Sequence, residues 1–563
     1  MSSNGSFNNN KVSPSEKTHC SIIKLNYNEN SFKSSSFPID NIPPPLYNEF
    51  EGDNEGNKNN KKEKNTQLNI DEKGRLYRQK GLSFKITLLN FLKTLVGAGF
   101  LSLPLAFRNA GLWSGLIMTV VFAFLNCLCM MQLVKCAQYF YRQSGIPFLS
   151  YGDLARHSCS TSFSWIRPYK NFAKALVDTT ILFLEFGFCS TYYLFIAITL
   201  KEFYEEFFHS SSGTPFQWLM AIYIPMVLFN FLRTLKFIAW LSTIGNFCMV
   251  SSLAFLLQYV IRYPIHSIGE MPFFNTFDGL LTAAGSIIYS FEAQTLVLPM
   301  ENKLKRPSQM LGPFGILSSG IFLATLVYSS IGFFGYVAYG DKIKGSITQN
   351  LPQHQISFTL VKMAICISVL ASFLLQMYVI VEIVWTKCRK LLFEEQMENK
   401  ISKEDYEKES KDDSCQYEEK EVTDNKRWIP LLPQHFKLGT ELLVRTLLVT
   451  VCFLFAAAVP NLERIIPLVG ITSGMLLAFV YPTLIDLLTF LPQLLASFGW
   501  KSLKVQLFIL INLALAAVGL FGMVAGLRAN IIEILASTAS PSLTESGLNN
   551  NTQIPANISN FTS

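Results

Sequence analysis

From residue 86 onward the chain is a succession of about eleven apolar runs, separated mostly by short polar links. They cover 86–107, 112–139, 172–203, 216–232, 237–263, 277–300, 312–339, 358–386, 442–459, 465–488 and 503–527. Crossing a hydrocarbon core of about 30 Å takes about 20 helical residues. Inside that core the backbone has no water to bond to, so lipid-facing spans must be helical. The pattern predicts an all-α integral membrane protein with the lipid bilayer as its surroundings. Composition agrees: 15% of residues are charged, against about 25% in a soluble domain. The charge is concentrated in residues 1–85 and 387–436. The expected organisation is a disordered tail over 1–84, a membrane domain over 85–532 interrupted by a charged loop over 391–436, and a second tail over 533–563.

The net charge of +7 does not point to nucleic acid, because the basic residues lie in the tails and in short links between apolar runs. Lys and Arg crowd the tail before the first run, the link 142–174, Arg233 and Lys236, Lys303 to Arg306, and 387–437, whereas 205–215 has none. That asymmetry places the amino terminus in the cytoplasm. An odd number of spans then puts the carboxyl tail outside the cell or in an organelle lumen. There Asn550, Asn557 and Asn560 each open an N-x-S/T acceptor for glycosylation. In the first tail, Pro44–Tyr47 has the form of a WW-domain ligand and Tyr47–Phe50 that of an endocytic signal, so a WW-domain or adaptor protein is the expected partner. Most cysteines fall inside apolar runs, where a thiol is a small buried hydrophobe. No phosphate-binding GxxxxGK[ST] loop occurs. The six His lie in tails or links without metal-ligand spacing. No catalytic residues, metal or cofactor are expected, and the chain does not read as an enzyme.

The first run contains Gly97-Ala98-Gly99 at mid-membrane and Pro104 beyond them. Five runs later the sixth contains Gly285 and Tyr289-Ser290-Phe291-Glu292, ending at Pro299. Two interrupted helices five spans apart signal a 5+5 inverted repeat, here with one extra helix, and a binding site between the breaks. Amides freed at a half-helix start attract a carboxylate, and freed carbonyls attract an ammonium group. An amino acid zwitterion offers both. The alternative is that these glycines only permit close helix packing. The expected substrate residues are Gly97, Ala98, Gly99, Tyr289, Ser290 and Phe291. A carboxyl group at the bilayer centre is expensive and usually functional. Glu185, between Leu184 and Phe186, and Glu292, inside the sixth-span break, are the candidates for proton coupling or gating. Glu292 could equally brace the unwound backbone. Glu382 reads as a boundary residue, and Asp178 with Lys174 as an ion pair at helical spacing.

Leu92-Lys93, Gly97-Ala98-Gly99, Leu103-Pro104-Leu105-Ala106-Phe107 and Asn109-Ala110-Gly111 together resemble the first span of the amino acid/auxin permease family. Gly187–Ser190, Ser290–Glu292, Val297–Lys303, Ile343–Thr348, Asn350–Pro352 and Gln376–Val379 narrow the resemblance to its proton-assisted amino acid transporter branch, over about residues 84–530. The resemblance implies an eleven-span broken-helix fold and transport of small neutral amino acids coupled to protons. It also implies a plasma, lysosomal or vacuolar membrane. Asn90 stands where proton-linked members of the branch usually have His, and Glu185 where Gln is usual. The branch's loop cysteines are missing from 205–215 and 340–357. Sodium-coupled or uncoupled carriage, and a sensor that signals through its tail, are the alternatives. The topology makes a first prediction. Peptide N-glycosidase lowers the apparent mass of protein from eukaryotic cells, and substituting Asn550, Asn557 and Asn560 by Gln together abolishes that shift.

Overall fold

The computed structural model describes residues 68–70, 76–78, 81–144, 148–208, 213–232, 235–262, 266–352, 355–393 and 436–539. Pro44–Tyr47, the acceptors Asn550, Asn557 and Asn560, and nearly all of the 391–436 loop lie outside these residues.

Two short strands, β1 (Leu68–Ile70) and β2 (Leu76–Arg78), pair antiparallel ahead of the helices. The first span is split into α1 (Phe84–Leu95), a 3-10 turn at Ala98–Ser102, and α2 (Leu103–Ala110). The second is α3 (Leu112–Ser144), followed by the amphipathic α4 (Tyr151–Thr161) and the third span, α5 (Lys170–Phe208). The fourth is the pair α6 (Pro215–Ala221) and α7 (Tyr223–Asn230), and the fifth is α8 (Leu235–Arg262). The sixth is split into α9 (Phe277–Ser290) and α10 (Gln294–Lys303). Then follow α11 (Ile316–Tyr339), α12 (Ile356–Phe393) and α13 (Lys437–Ala458). The tenth span runs through α14 (Leu462–Val469), two π-helical segments (Gly470–Gly474 and Leu476–Val480) and α15 (Tyr481–Phe498). The last is α16 (Leu503–Ala539).

Among the described residues nine helices are long and apolar enough to cross a membrane. The remaining two expected spans are the shorter apolar stretch Pro215–Asn230 and the interrupted pair α9 and α10. Large apolar side chains stay outside the core on many of these helices, as at Phe124, Phe183, Phe247 and Leu510. That surface suits hydrocarbon rather than water.

Which helices touch follows a five-span repeat. The first span contacts the sixth (α2 on α9), the second the seventh (α3 on α11), the third the eighth (α5 on α12) and the fourth the ninth (α7 on α13). Cross-contacts repeat as well. The fifth span meets the seventh and eighth (α8 on α11 and α12), and the tenth meets the second and third (α15 on α3, α14 on α5). Five is odd, so equivalent spans run in opposite directions, as an inverted repeat requires. α16 lies outside the scheme, against α9 and the tenth span.

Two sequence expectations change. Lys174 does not pair with Asp178; its ammonium meets Asp153 of α4. Helical spacing brings charges within reach, but here α4 offers the closer carboxylate. The tail expected to be disordered over 1–84 is folded at its end, where β2 and Leu82 bond to the chain beyond α10. Glu382 is exposed on its helix.

Charges inside the bundle are mostly paired, within a helix or across helices. Arg445 of α13 bonds Glu441 and donates to the carbonyl of Asn230, while Lys362 lies 3.6 Å from Glu202. Asp486 of α15 accepts from Asn512 of α16 (3.2 Å) and Gln132 of α3 (3.5 Å), with Cys136 Sγ at 3.7 Å. This carboxylate ties the extra helix to the repeat. Orphaning a buried donor costs about 1–3 kcal/mol. Asp486→Leu is therefore expected to lower the melting temperature in detergent far more than Asp486→Asn, as read by a thermal-shift assay.

Candidate functional site

The two breaks meet. α1 stops at Leu95, where Val96 and the extended Gly97 (φ −95°, ψ −169°) leave the helix before the 3-10 turn begins. Pro104 then restarts an α-helix from its first turn, where its missing N–H costs nothing. In the sixth span Phe291, Glu292 and Ala293 interrupt the helix between Ser290 and Gln294. A Cβ on Gly99 would stand 2.9 Å from Ser290 Cα and 3.2 Å from Tyr289 Cδ1. The breaks thus approach as closely as a side-chain-free residue allows. A Cβ on Gly97 would meet only the Tyr192 hydroxyl of α5, at 3.8 Å. The space in the site lies there.

Side chains from the second and seventh spans hold the opened backbone. The Tyr328 hydroxyl of α11 lies within hydrogen-bonding reach of the carbonyls of Leu95 and of Ser290 (3.0 Å), and so bridges both breaks. Asn126 of α3 donates to the Phe291 carbonyl (3.1 Å), and Gln294 donates to the Asn126 side chain and to Ala478 O (3.4 Å). Ser102 closes the 3-10 turn onto Gly99 O (2.8 Å) and Ser290 bonds back to Ser286 O (2.9 Å). Aromatic rings wall the region. Tyr289 meets Phe188 edge-on at 4.8 Å, Phe188 stacks towards Tyr192 at 6.3 Å, and Phe291 lies on Tyr328 at 4.8 Å.

Both candidate acids border this site. Glu292 Oε1 accepts from the Gln294 amide (3.3 Å), capping the start of α10, while its Oε2 has no hydrogen-bond partner. That oxygen faces the first π segment, where a Cβ on Gly474 would stand 3.9 Å away. Glu185 is 4% exposed, and its Oε2 also has no hydrogen-bond partner. Gly187, two residues beyond Glu185, packs tightly on Val469 at the start of the π-helical stretch. π-helical turns inside α-helices recur at functional sites.

Gly97, Ala98, Gly99, Tyr289 and Ser290 are thus gathered around one region, whereas the Phe291 ring turns onto Tyr328. Sequence reading missed Tyr328, Asn126, Gln294, Tyr192 and the π-helical tenth span. Asn126, a lone amide between Leu125 and Cys127, carried a signal, because polar side chains in apolar spans seek partners. Tyr328 carried none, since a Tyr in an apolar run is commonplace.

The model for the family described as "Transmembrane amino acid transporter protein" matches residues 80–526. Among curated proteins, "Probable amino acid transporter skat-1" of Caenorhabditis elegans is 29% identical over 460 residues, covering 80% of this chain and 90% of the relative. "Proton-coupled amino acid transporter-like protein pathetic" of Drosophila melanogaster is 27% identical over 457 residues, covering 80% and 84%. Among solved structures, the transporter Mhp1 in its closed conformation with bromovinylhydantoin bound matches with a TM-score of 0.41 and 13% identity, over 85% of this chain and 98% of that one. Its inward-facing conformation matches at 0.46 and 11%, over 82% and 92%.

The two glycines of the first break are expected to behave differently. Gly99→Val forces a branched side chain against Ser290 and prevents accumulation of folded protein. Gly97→Ala has room, keeps the protein folded and instead crowds the site. Size-exclusion profiles of the two variants in detergent check the first half of this contrast. Substrate protection against heating, reduced at least several-fold in Gly97→Ala, checks the second.

Proposed function

The chain belongs to the transmembrane amino acid transporter family, and on that premise we propose that it is a secondary carrier of small neutral amino acids, coupled to protons and working by alternating access. The observation that carries the reading is the joining of two broken helices through one hydroxyl, Tyr328, beside the open space at Gly97. Helix starts there present amides to a carboxylate, and helix ends present carbonyls to an ammonium group. Tyr192 borders that space, and the rings of Phe188 and Tyr289 pack next to it, which favours a substrate with a short side chain. The chain is a transporter and not an enzyme, as its relatives are.

Proton coupling needs a group that is neutral when dry and ionised when water reaches it. Asn90 cannot titrate. Glu185 and Glu292 are buried at the site with one carboxyl oxygen each unpartnered, and Glu292 already braces the start of α10. That leaves Glu185 as the carrier of the proton. The Drosophila relative is named for proton coupling, which favours protons over sodium for this chain too. The positive links place the amino terminus in the cytoplasm, and the membrane is the plasma membrane or that of a lysosome or vacuole.

Uptake of labelled glycine, alanine and proline into proteoliposomes tests the reading. Flux is expected to rise as the outside pH falls, and Glu185→Gln to flatten that dependence while exchange of internal for external amino acid persists. Binding without flux overturns the carrier and favours a sensor. Flux that ignores the pH gradient but requires sodium overturns the coupling.

A further inference from the structure

The described residues ahead of the first span are bonded to the far end of the sixth. The Arg78 amide donates to Lys305 O (2.9 Å), the Leu82 amide to Lys303 O (2.7 Å), and the Lys305 amide to Leu82 O (2.8 Å). Gly81 passes so close to the Leu304–Lys305 backbone that a Cβ there would stand 2.5 Å from Lys305 N. Arg78 is fully buried, and its guanidinium donates to Glu301 O (2.7 Å) and Leu304 O (3.4 Å), carbonyls at the end of α10. It also lies 3.6 Å from the equally buried Glu301 carboxylate. A cation at a helix carboxyl end complements the helix dipole. Gln138 of α3 donates to Glu301 Oε1 (3.4 Å), and the rings of Tyr141 and Phe148 flank the guanidinium at 5.5 and 5.9 Å. A buried ion pair is costly unless its remaining bonds are met; here two backbone carbonyls and Gln138 meet several of them, while Glu301 Oε2 has only the guanidinium, at 3.6 Å.

The opposite face holds the repeat-equivalent arrangement. Residues 272–275, which lead into the sixth span, are bonded to the end of the first. The Leu112 amide donates to Pro272 O (2.9 Å), Ser114 N to Phe273 O (3.1 Å), and Asn275 N to Ala110 O (3.1 Å). The segment that enters each five-span unit is therefore fastened to the outer end of the other unit's broken helix. These contacts end the half-helices that flank the site, α10 on one side and α2 on the other.

We infer that residues 76–78 and 81–82 are a latch on α10, and that this half-helix can swing from the site, opening it to the face expected to be cytoplasmic, only when the latch lets go. The inference rests on the transport reading above. Residues 272–275 are its counterpart on α2. Among the described residues the counterpart makes backbone bonds and neutral side-chain bonds but no ion pair, so the latch ahead of the first span is the one that charge sets.

The lock uses Leu82 and Leu304, which face each other across a parallel bridge. Bridged positions are about 4.8 Å apart, within disulfide range. Leu82→Cys with Leu304→Cys in the full chain, reconstituted and oxidised with copper phenanthroline, is expected to stop amino acid exchange, and a reductant to restore it. Wild type and each single variant, treated alike, keep their rates. Exchange at the parent rate with the crosslink confirmed by mass spectrometry overturns the latch. Gly81→Ala tests it from the other direction, by wedging the latch off α10 with no charge disturbed. Apparent KM measured from the latched face is expected to fall about three- to tenfold relative to the other face, the signature of a shifted population. A fall in protein yield with an unchanged KM ratio counts against it. Hydrogen exchange needs no transport and separates this inference from the function it rests on. Gly81→Ala should speed exchange across α10 and leave α11 as it was; unchanged protection in α10 refutes the latch even if the chain moves amino acids, and faster exchange in α10 alone upholds it even if the chain moves none.

Discussion

A peptide group without a hydrogen-bond partner costs several kcal/mol inside a bilayer, and this chain opens two helices at that depth. Each opening is covered by side chains borrowed from neighbouring spans. Tyr328 reaches the carbonyls of Leu95 and Ser290, Asn126 reaches Phe291 O, and Glu292 takes the Gln294 amide. Because one hydroxyl serves both breaks, the breaks must stay side by side. That requirement fixes Gly99, whose missing side chain is the gap through which the backbones approach. The site is therefore a by-product of solving the hydrogen-bond problem, with its remaining space beside Gly97.

Buried charges sort by the same logic. Arg78 with Glu301, Arg445 with Glu441 and Lys362 with Glu202 are paired, and Asp486 is surrounded by amide and thiol donors. These hold elements together and lie away from the breaks. Glu185, Glu292 and Glu301 each keep a buried oxygen with no hydrogen-bond partner, but Glu301 has the Arg78 guanidinium at 3.6 Å, whereas the two acids at the site have no salt bridge among the described residues. The charge pairing found at Glu301, Glu202 and Glu441 is not found at the site among the described residues. Such an oxygen has a partner only if a proton or a ligand brings one.

The sequence carried the spans, their order and both breaks, because glycines at mid-membrane and a proline beyond them leave few other readings. It carried the acids at the site for the same reason: a carboxyl group in an apolar run has to be explained. What it did not carry depends on contacts between distant residues. Lys174 had two acids within reach, and only the fold chose Asp153. Arg78 looked like one more basic residue of a polar tail, although its partner Glu301 lies in a motif that the sequence reading did single out. The π-helical middle of the tenth span has no composition signal, since Gly470-Ile471-Thr472-Ser473-Gly474 reads as ordinary small-residue packing. The cross-links by Tyr328 and Asn126 were invisible because each is a single residue whose meaning comes from the span it faces.

The five-span repeat has an energetic consequence. If the two units were identical, exchanging their conformations would turn a site open to one face into a site open to the other at no cost in free energy. A carrier needs that near-equality, because a large gap between the two states would trap it in one of them. The bias must come from whatever the repeat does not duplicate. Unduplicated features include α16, tied in through Asn512 and Asp486, and the Arg78–Glu301 pair, which has no charged equivalent between residues 272–275 and the end of α2. The first braces the sixth and tenth spans from outside, and the second sits on the end of α10 that the latch proposal sets in motion. Of the two, only the ion pair stands where a conformational change of the broken helices would have to make or break it, so it is the feature placed to set which face the site prefers.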